Sequence, residues 1–450
     1  MARVASWKLA AAAAAWLFVS PAPSTASELS QLAAQLEPGE WAELDTGLTA
    51  SFLETRPDSN VLQYGDSGCW DPNSRQVFYL GSPHYQPYKF IIYSEDSNSW
   101  RTGPLPFSAD TLIHGYDHNA IDPATGDVYF RKYANRNVYK YSVSGNSWTS
   151  IAPISSSALE YVQVAGGLEW YPELDGLVFV DGHEANHGDG LARWSRSGNQ
   201  WSRVPAAMNG INEYHNFAEY NPVHHVMWLG GGSQGSWKLS PTGVLTALGS
   251  APVPLGVSDS LIAADPSSGN YIVSAENNTW WEFDIVNNSW SSITHSMPPM
   301  NYGATLNLEA INIPISTHGV IMYVKYRGSS SPPGVFIYRH APGGAGDETP
   351  PSIPSGLLAQ DVTFAQVGLT WSESTDDVGV AGYEIWRDGA SLGTTAGTTF
   401  VDTTVQPEKV YGYAVSAFDL AGNTSATSAT LAVTTPAAIP PDPPENPRAD

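Results

Sequence analysis

The chain has 450 residues, with 44 acidic against 20 basic side chains and a formal net charge of −24. That imbalance argues against a nucleic-acid backbone or an anionic membrane as partner, since both need clustered Lys and Arg. A single cysteine, Cys69, excludes an internal disulfide, so stability must come from core size, and the length allows two or three cores.

Residues 1–26 read as an export signal. Arg3 and Lys8 form its basic start, Leu9 to Val19 an apolar stretch rich in alanine, and Ser24-Thr25-Ala26 a small-residue cleavage site. The apolar stretch is shorter than the ~20 residues of a membrane span. The expected product is a secreted or periplasmic monomer with no membrane contact after cleavage. It begins with a leader at 27–38 and carries −26, because two cations and no acid are lost from −24. Cys69, in the apolar run Gly68-Cys69-Trp70, is expected to be a buried small hydrophobe.

From Glu40 to His340 helical periodicity is absent and a β-repeat takes its place. An aromatic residue, six others and then tryptophan recur four times, at Tyr93/Trp100, Tyr141/Trp148, Trp194/Trp201 and Phe283/Trp290. The strings "YSEDSNSW", "YSVSGNSW", "WSRSGNQW" and "FDIVNNSW" each read as strand, tight turn, strand. A degraded copy runs from Trp237 to Leu248. Upstream of each lies a second hairpin with a Pro-containing turn: "WDPNSRQVFYLG", "IDPATGDVYF", "WYPELDGLVFV", "YNPVHHVMWLGG" and "ADPSSGNYIV". Each unit therefore holds four strands in about 45 to 53 residues, near the period of propeller blades. A sixth unit, Tyr302 to His340, has three strands, and Trp41-Ala42-Glu43-Leu44 resembles the fourth strand it lacks. Closing the ring with both ends in one blade removes exposed sheet edges. The expectation is all-β, with six blades and seven as the alternative.

The spaced aromatic and Trp, together with Gly230-Gly231-Gly232, resemble the kelch or galactose-oxidase-like β-propeller family over residues 39–342. Copper chemistry of the galactose oxidase kind is not implied, because Cys69 sits on a first strand. Residues 343–355 are a Pro-rich linker. Residues 356–436, with "LTWSESTDDVGVAGYEIWRDG" and "YGYAVSAFDLAGNTSATS", resemble bacterial fibronectin type III β-sandwich modules, with Trp371, Tyr383 and Tyr413 as core aromatics. Residues 437–450 read as a second linker or truncated tail. Such modules are mostly spacers in secreted carbohydrate-active proteins, so the resemblance implies polysaccharide as partner.

Histidines crowd the loops expected on one propeller face: His84, His114, His118, His183, His187, His215 and His295. His, Tyr and Arg together suit β-elimination on a uronate-containing glycan, which needs a base, an acid and a carboxylate neutraliser. The candidates are His118 or His215 as base, Tyr116 or Tyr214 as acid, and Arg131 as neutraliser. His84, Tyr85, His114, Asn119, Lys132, Tyr133 and Asn216 would bind substrate. Propeller-type lyases, the ulvan lyases among them, resemble this residue set, although no motif of theirs is matched residue by residue. Non-catalytic glycan binding or a protein-interaction role is the alternative. His183-Glu184-Ala185-Asn186-His187 fits H-E-x-x-H, but its strand-loop-strand setting lacks the helix that zincin chemistry requires, and Arg193 stands at the third ligand position. A loop-borne zinc or calcium site at His183, His187 and Asp189 is the other metal expectation. Of the adjacent Trp280 and Trp281, only one is expected to face inward, which makes the other a candidate sugar platform.

Overall fold

The computed structural model describes residues 26–438, except 57–58, 84–86, 109–114, 116, 133–134, 161, 163–165, 183–189, 206–207, 209–210, 212–213, 232–234, 258, 301–308, 341–349, 377–379, 396 and 420–422. These residues are all-β apart from a helix at Glu28–Gln35, one helical turn at Ala50–Leu53 and two short 3-10 turns. The helix falls in the leader, where none was expected. Ser27 caps it by accepting from the Ser30 N–H, and Leu29 and Ala33 are buried in the cluster that includes Ile315 and Val320.

Among the described residues six four-stranded antiparallel sheets precede residue 341. Five run in chain order, and their first strands are Cys69–Asp71, Asn119–Ile121, Gly167–Tyr171, Asn216–Asn221 and Ser260–Ala264. The sixth combines Ala310–Ile315, Val320–Lys325 and Gly334–Tyr338 with the N-terminal strand Trp41–Glu43, Trp41 lying opposite Tyr338. Each first strand touches the first strand of the next sheet, and that of the sixth touches Cys69–Asp71, so the six inner strands make a closed circuit.

The aromatic-to-Trp repeat has a physical cause. Within a sheet the two positions face each other across the third and fourth strands, as Tyr93 faces Trp100 and Tyr141 faces Trp148. The turn between those strands carries an asparagine with positive φ, at Asn98, Asn146, Asn199 and Asn288 (φ 43° to 52°), a conformation Asn tolerates better than most residues. The Tyr93 and Tyr141 hydroxyls and the Trp194 indole donate to the Oδ1 atoms of Asn98, Asn146 and Asn199. The fourth-strand tryptophans then reach towards the chain that precedes their own sheet. Trp148 Nε1 donates to Pro104 O and Trp201 Nε1 to Ala152 O, both at 2.8 Å. Of the four, Trp201 alone is buried, while Trp100, Trp148 and Trp290 are half-buried.

After residue 350 the chain forms a β-sandwich with fibronectin type III-like topology. Ser355–Gln360, Val367–Ser372 and Thr399–Asp402 make one sheet, and Ala390–Thr395, Val380–Arg387, Val410–Asp419 and Leu431–Thr434 the other. Trp371, Tyr383 and Tyr413 are buried in its core, as expected, and the Tyr413 hydroxyl donates to Asp402 at 2.7 Å.

Candidate functional site

The inner strand of each sheet has one neighbour in its own sheet, so its other edge presents backbone N–H groups to the centre of the circuit. Buried donors need acceptors. Two aspartates in the loops leading into the first two sheets supply them. Asp117 takes the Leu168 N–H on its carbonyl oxygen and the Ala218 N–H on its carboxylate, at 2.7 and 2.6 Å. Asp66 takes the Asn312 N–H on its carbonyl oxygen, and its carboxyl lies beside the Ile262 N–H. One aspartate therefore serves the third and fourth sheets and the other the sixth and fifth.

This places a dense acidic group at the centre. Ligand oxygens of Asp66, Asp117 and Glu219 all lie within 4.8 Å of one another, and all three residues are buried. Ser67 Oγ donates to Asp117 at 2.9 Å. Burial and then the neighbouring Asp117 push the Asp66 carboxyl well above the usual carboxylate range. Burial followed by repulsion from the other acids does the same to Glu219, and burial with Asp117 does so to Glu169. Burial, partly offset by the hydrogen bonds from Ala218 N–H and Ser67, raises Asp117 to about 7. Among the described residues no Lys, Arg or His nitrogen comes within 4 Å of these four carboxyls.

A cavity of about 150 Å³ lies beside this group, walled by residues of all six inner strands or the turns after them, including Cys69, Asn119, Glu169, Glu219, Ala264 and Pro314. Pro123, Pro222, Pro266 and Ser316 also line it. These belong to the first-to-second-strand turns, so the cavity reaches the face opposite the histidine-bearing loops. Cys69 is buried as expected, and burial followed by Glu169, Asp117 and Glu219 holds its thiol well above its ordinary value, in the protonated form.

The residues singled out from the sequence separate into three groups. His118 and Arg131 are fully enclosed. The Arg131 N–H donates to His118 O at 3.2 Å, and the guanidinium lies over the Phe179 ring at 4.8 Å. Asn119 and Asn216, expected to bind substrate, are also buried. Asn119 pairs with both backbone groups of Leu80, and Asn216 Oδ1 accepts from Gly182 N–H, so both amides fasten a sheet to its predecessor and are withdrawn from solvent. Near the surface lie Tyr214, 45% exposed, half-buried His215, whose ring is 6.5 Å from that of Tyr214, and half-buried Lys132, whose Nζ sits 4.8 Å over Phe107. His84, Tyr85, His114, Tyr116, Tyr133, His183, His187 and Asp189 lie outside the described residues. Trp280 is buried against Tyr323, while Trp281 packs half-buried beside Val273 and Phe283, so neither is a freestanding platform.

Loop polarity gave no role to Asp66, Asp117, Glu169 or Glu219, although it singled out Tyr116 and His118 on either side of Asp117. The available signal was position. Asp66 and Asp117 each stand five residues before the turn aspartates Asp71 and Asp122, and Glu169 and Glu219 each stand two before Tyr171 and Asn221.

No protein-family model matches the chain. Part of it is 43% identical over 105 residues to chitinase Chi52 of Paenibacillus xylanexedens, covering 22% of this chain and 20% of that protein. It is 46% identical over 91 residues to exoglucanase B of Cellulomonas fimi, covering 20% and 8%, and 37% identical over 126 residues to chitinase 63 of Streptomyces plicatus, covering 27% and 20%. The chain thus spans a fifth or less of the length of these relatives. Among solved structures, the fibronectin type III domain of human fibronectin type III domain containing protein 3 aligns at 17% identity and TM-score 0.20, over 22% of this chain and 98% of that one. No helix among the described residues is long and apolar enough to cross a membrane.

Proposed function

We propose that this is a secreted, polysaccharide-binding protein in which residues 39–342 form a six-bladed kelch-like β-propeller carried beside a fibronectin type III-like spacer. The observation that carries the glycan reading is the match, at 37 to 46% identity, to segments of two chitinases and an exoglucanase. Six four-stranded sheets whose inner strands touch in a circuit support the propeller. The binding residues in this reading are Tyr214, His215 and Lys132, together with His84, Tyr85, His114, Tyr116 and Tyr133, which the sequence assigns to loops of the same face. Loops gathered at one end of a rigid scaffold are the common place for such sites.

Binding is favoured over β-elimination by the burial of His118 and Arg131. A base or neutraliser must come within hydrogen-bond reach of its substrate, and an enclosed side chain does not meet a polymer. Elimination, if it occurs, falls to His215 with Tyr214.

The test is affinity electrophoresis and pull-down of the signal-free chain with chitin, cellulose, starch, alginate, pectate and ulvan. Retention by at least one of them, weakened about five-fold or more in Tyr214→Ala, is expected, as for loss of one stacking contact. No retention by any of the six overturns the reading. Appearance of unsaturated-uronate absorbance that His215→Ala abolishes would replace binding with elimination.

A further inference from the structure

We propose that the central carboxylates form an oxygen-donor site for one divalent cation of the calcium class, held where the six inner strands meet. The geometry comes first. Asp66, Asp117 and Glu219 offer ligand oxygens within 4.8 Å of one another. Oxygens this close can be bridged by one oxygen-coordinated divalent cation. A site made of protein oxygens suits calcium better than magnesium, which dehydrates reluctantly and usually keeps several waters.

A second observation lies in buried oxygens that are left without a hydrogen bond. Asp66 Oδ2 and Glu219 Oε1 are two of them. Beyond the acids, the hydroxyl of Tyr79, fully enclosed, is also unpartnered. It is wedged between Gly65 and Gly115, where an added Cβ would come within 2.3 and 2.0 Å of it. Gly65 directly precedes Asp66, and Gly115 stands two residues before Asp117. Asn312, fully enclosed, turns its amide nitrogen to 3.4 Å from Asp66 Oδ1 and leaves its own Oδ1 unpartnered. Native proteins leave few such atoms unsatisfied, and a bound ion is one of the groups that satisfies them.

Charge supports the same conclusion. Buried carboxylates are costly unless neutralised, and no basic side chain among the described residues pairs with these. Only protons or a metal ion remain to balance them. The donors are carboxylate oxygens, which select hard cations over zinc or copper. The cavity bordered by Glu169 and Glu219 gives an ion a route from the turn-bearing face. This site is independent of the glycan reading.

The experiment uses the whole signal-free chain, stripped with EGTA and chelating resin. Native mass spectrometry and calorimetry then follow addition of calcium chloride, with magnesium and manganese chlorides as separate arms. Uptake of one calcium per chain is expected, with a rise in melting temperature of about 5 °C or more at about 1 mM and a weaker response to magnesium. Glu219→Gln and Asp66→Asn should each weaken uptake about ten-fold or more. Glu219→Gln carries the test if Asp66→Asn, which loses a backbone cap, does not fold. No uptake of any of the three ions, with an unchanged melting temperature, overturns the proposal and leaves protons as the neutralising charge. Uptake that both variants leave unaltered overturns it equally, since the ion would then lie elsewhere.

Discussion

Glu95 shows how one side chain ties distant parts of the ring together. Its carboxylate accepts from Arg75, from His318 at 2.9 Å and from Ser27 at the head of the leader helix. Burial alone would raise this carboxyl, but the hydrogen bonds from His318, Arg75 and Ser27 outweigh it and hold the group at about 2. An unfolded Glu titrates near 4.3. The stabilisation is therefore fully present above about pH 4.3 and is lost as pH falls towards 2. We expect Glu95→Gln to cost on the order of 2 kcal/mol at pH 7 and to flatten that acid limb, as followed by urea unfolding at stepped pH. An unaltered acid limb would remove Glu95 from this role. Asn199 gives a second residue-scale case. Its Oδ1 accepts from Trp194 Nε1 and Ala152 N–H while its backbone holds φ 43°. Asn199→Gly should lose only the hydrogen bonds, about 1 kcal/mol, and Asn199→Ala about 1 kcal/mol more for the left-handed backbone. Equal losses in thermal melts would show that the turn conformation carries no weight. At this scale the sequence was legible where a residue's role is local. The turn asparagines and the aromatic-to-Trp spacing repeat because one hairpin contains both partners. His118 was not legible, because loop membership places it near the mouth whereas its enclosure depends on neighbouring chain far away in sequence.

At the scale of elements, the fourth-strand tryptophans decide how firmly neighbouring sheets adhere. Trp201 is 5% exposed and packs in the cluster that holds Tyr129 and Trp170. Truncation to Ala should cost about 3–5 kcal/mol there, and Trp148→Ala, half-buried, about 2 kcal/mol. Comparable losses from both in urea melts would mean that burial does not set the difference. The strand Trp41–Glu43 is a stronger case. Removing residues 41–43 would uncover the edge of Gly334–Tyr338, and an unpaired edge is a template for association. A lower melting temperature together with higher-order species in size-exclusion chromatography is expected. A monomer of unchanged melting temperature would show the strand to be dispensable. Its pairing was readable because Trp41-Ala42-Glu43 copies the pattern of the other fourth strands. The central carboxylates were not, because each lies on a different unit and their convergence comes from the closing of the circuit.

For the whole molecule, the net charge of −24 bears on the proposed ligand. Repulsion between an acidic protein and an anionic polysaccharide is screened by salt, the Debye length shortening from about 30 Å at 0.01 M to about 8 Å at 0.15 M. Retention by alginate or pectate should therefore strengthen between those two ionic strengths, and retention by chitin or cellulose should stay level. Retention by an anionic glycan that instead weakens with salt would reveal a local basic pocket outweighing the overall charge. The pairing of Trp41 with Tyr338 also has a consequence for biogenesis. The strand Trp41–Glu43 is made well before its partner at Gly334–Tyr338, so it stays unpaired while the five sheets between them are synthesised. Closing the circuit is then a late docking of residues 41–43 onto 334–338, slow and exposed to interception, and a circular permutant that moves the seam to another loop would shift that vulnerable interval without changing the finished architecture.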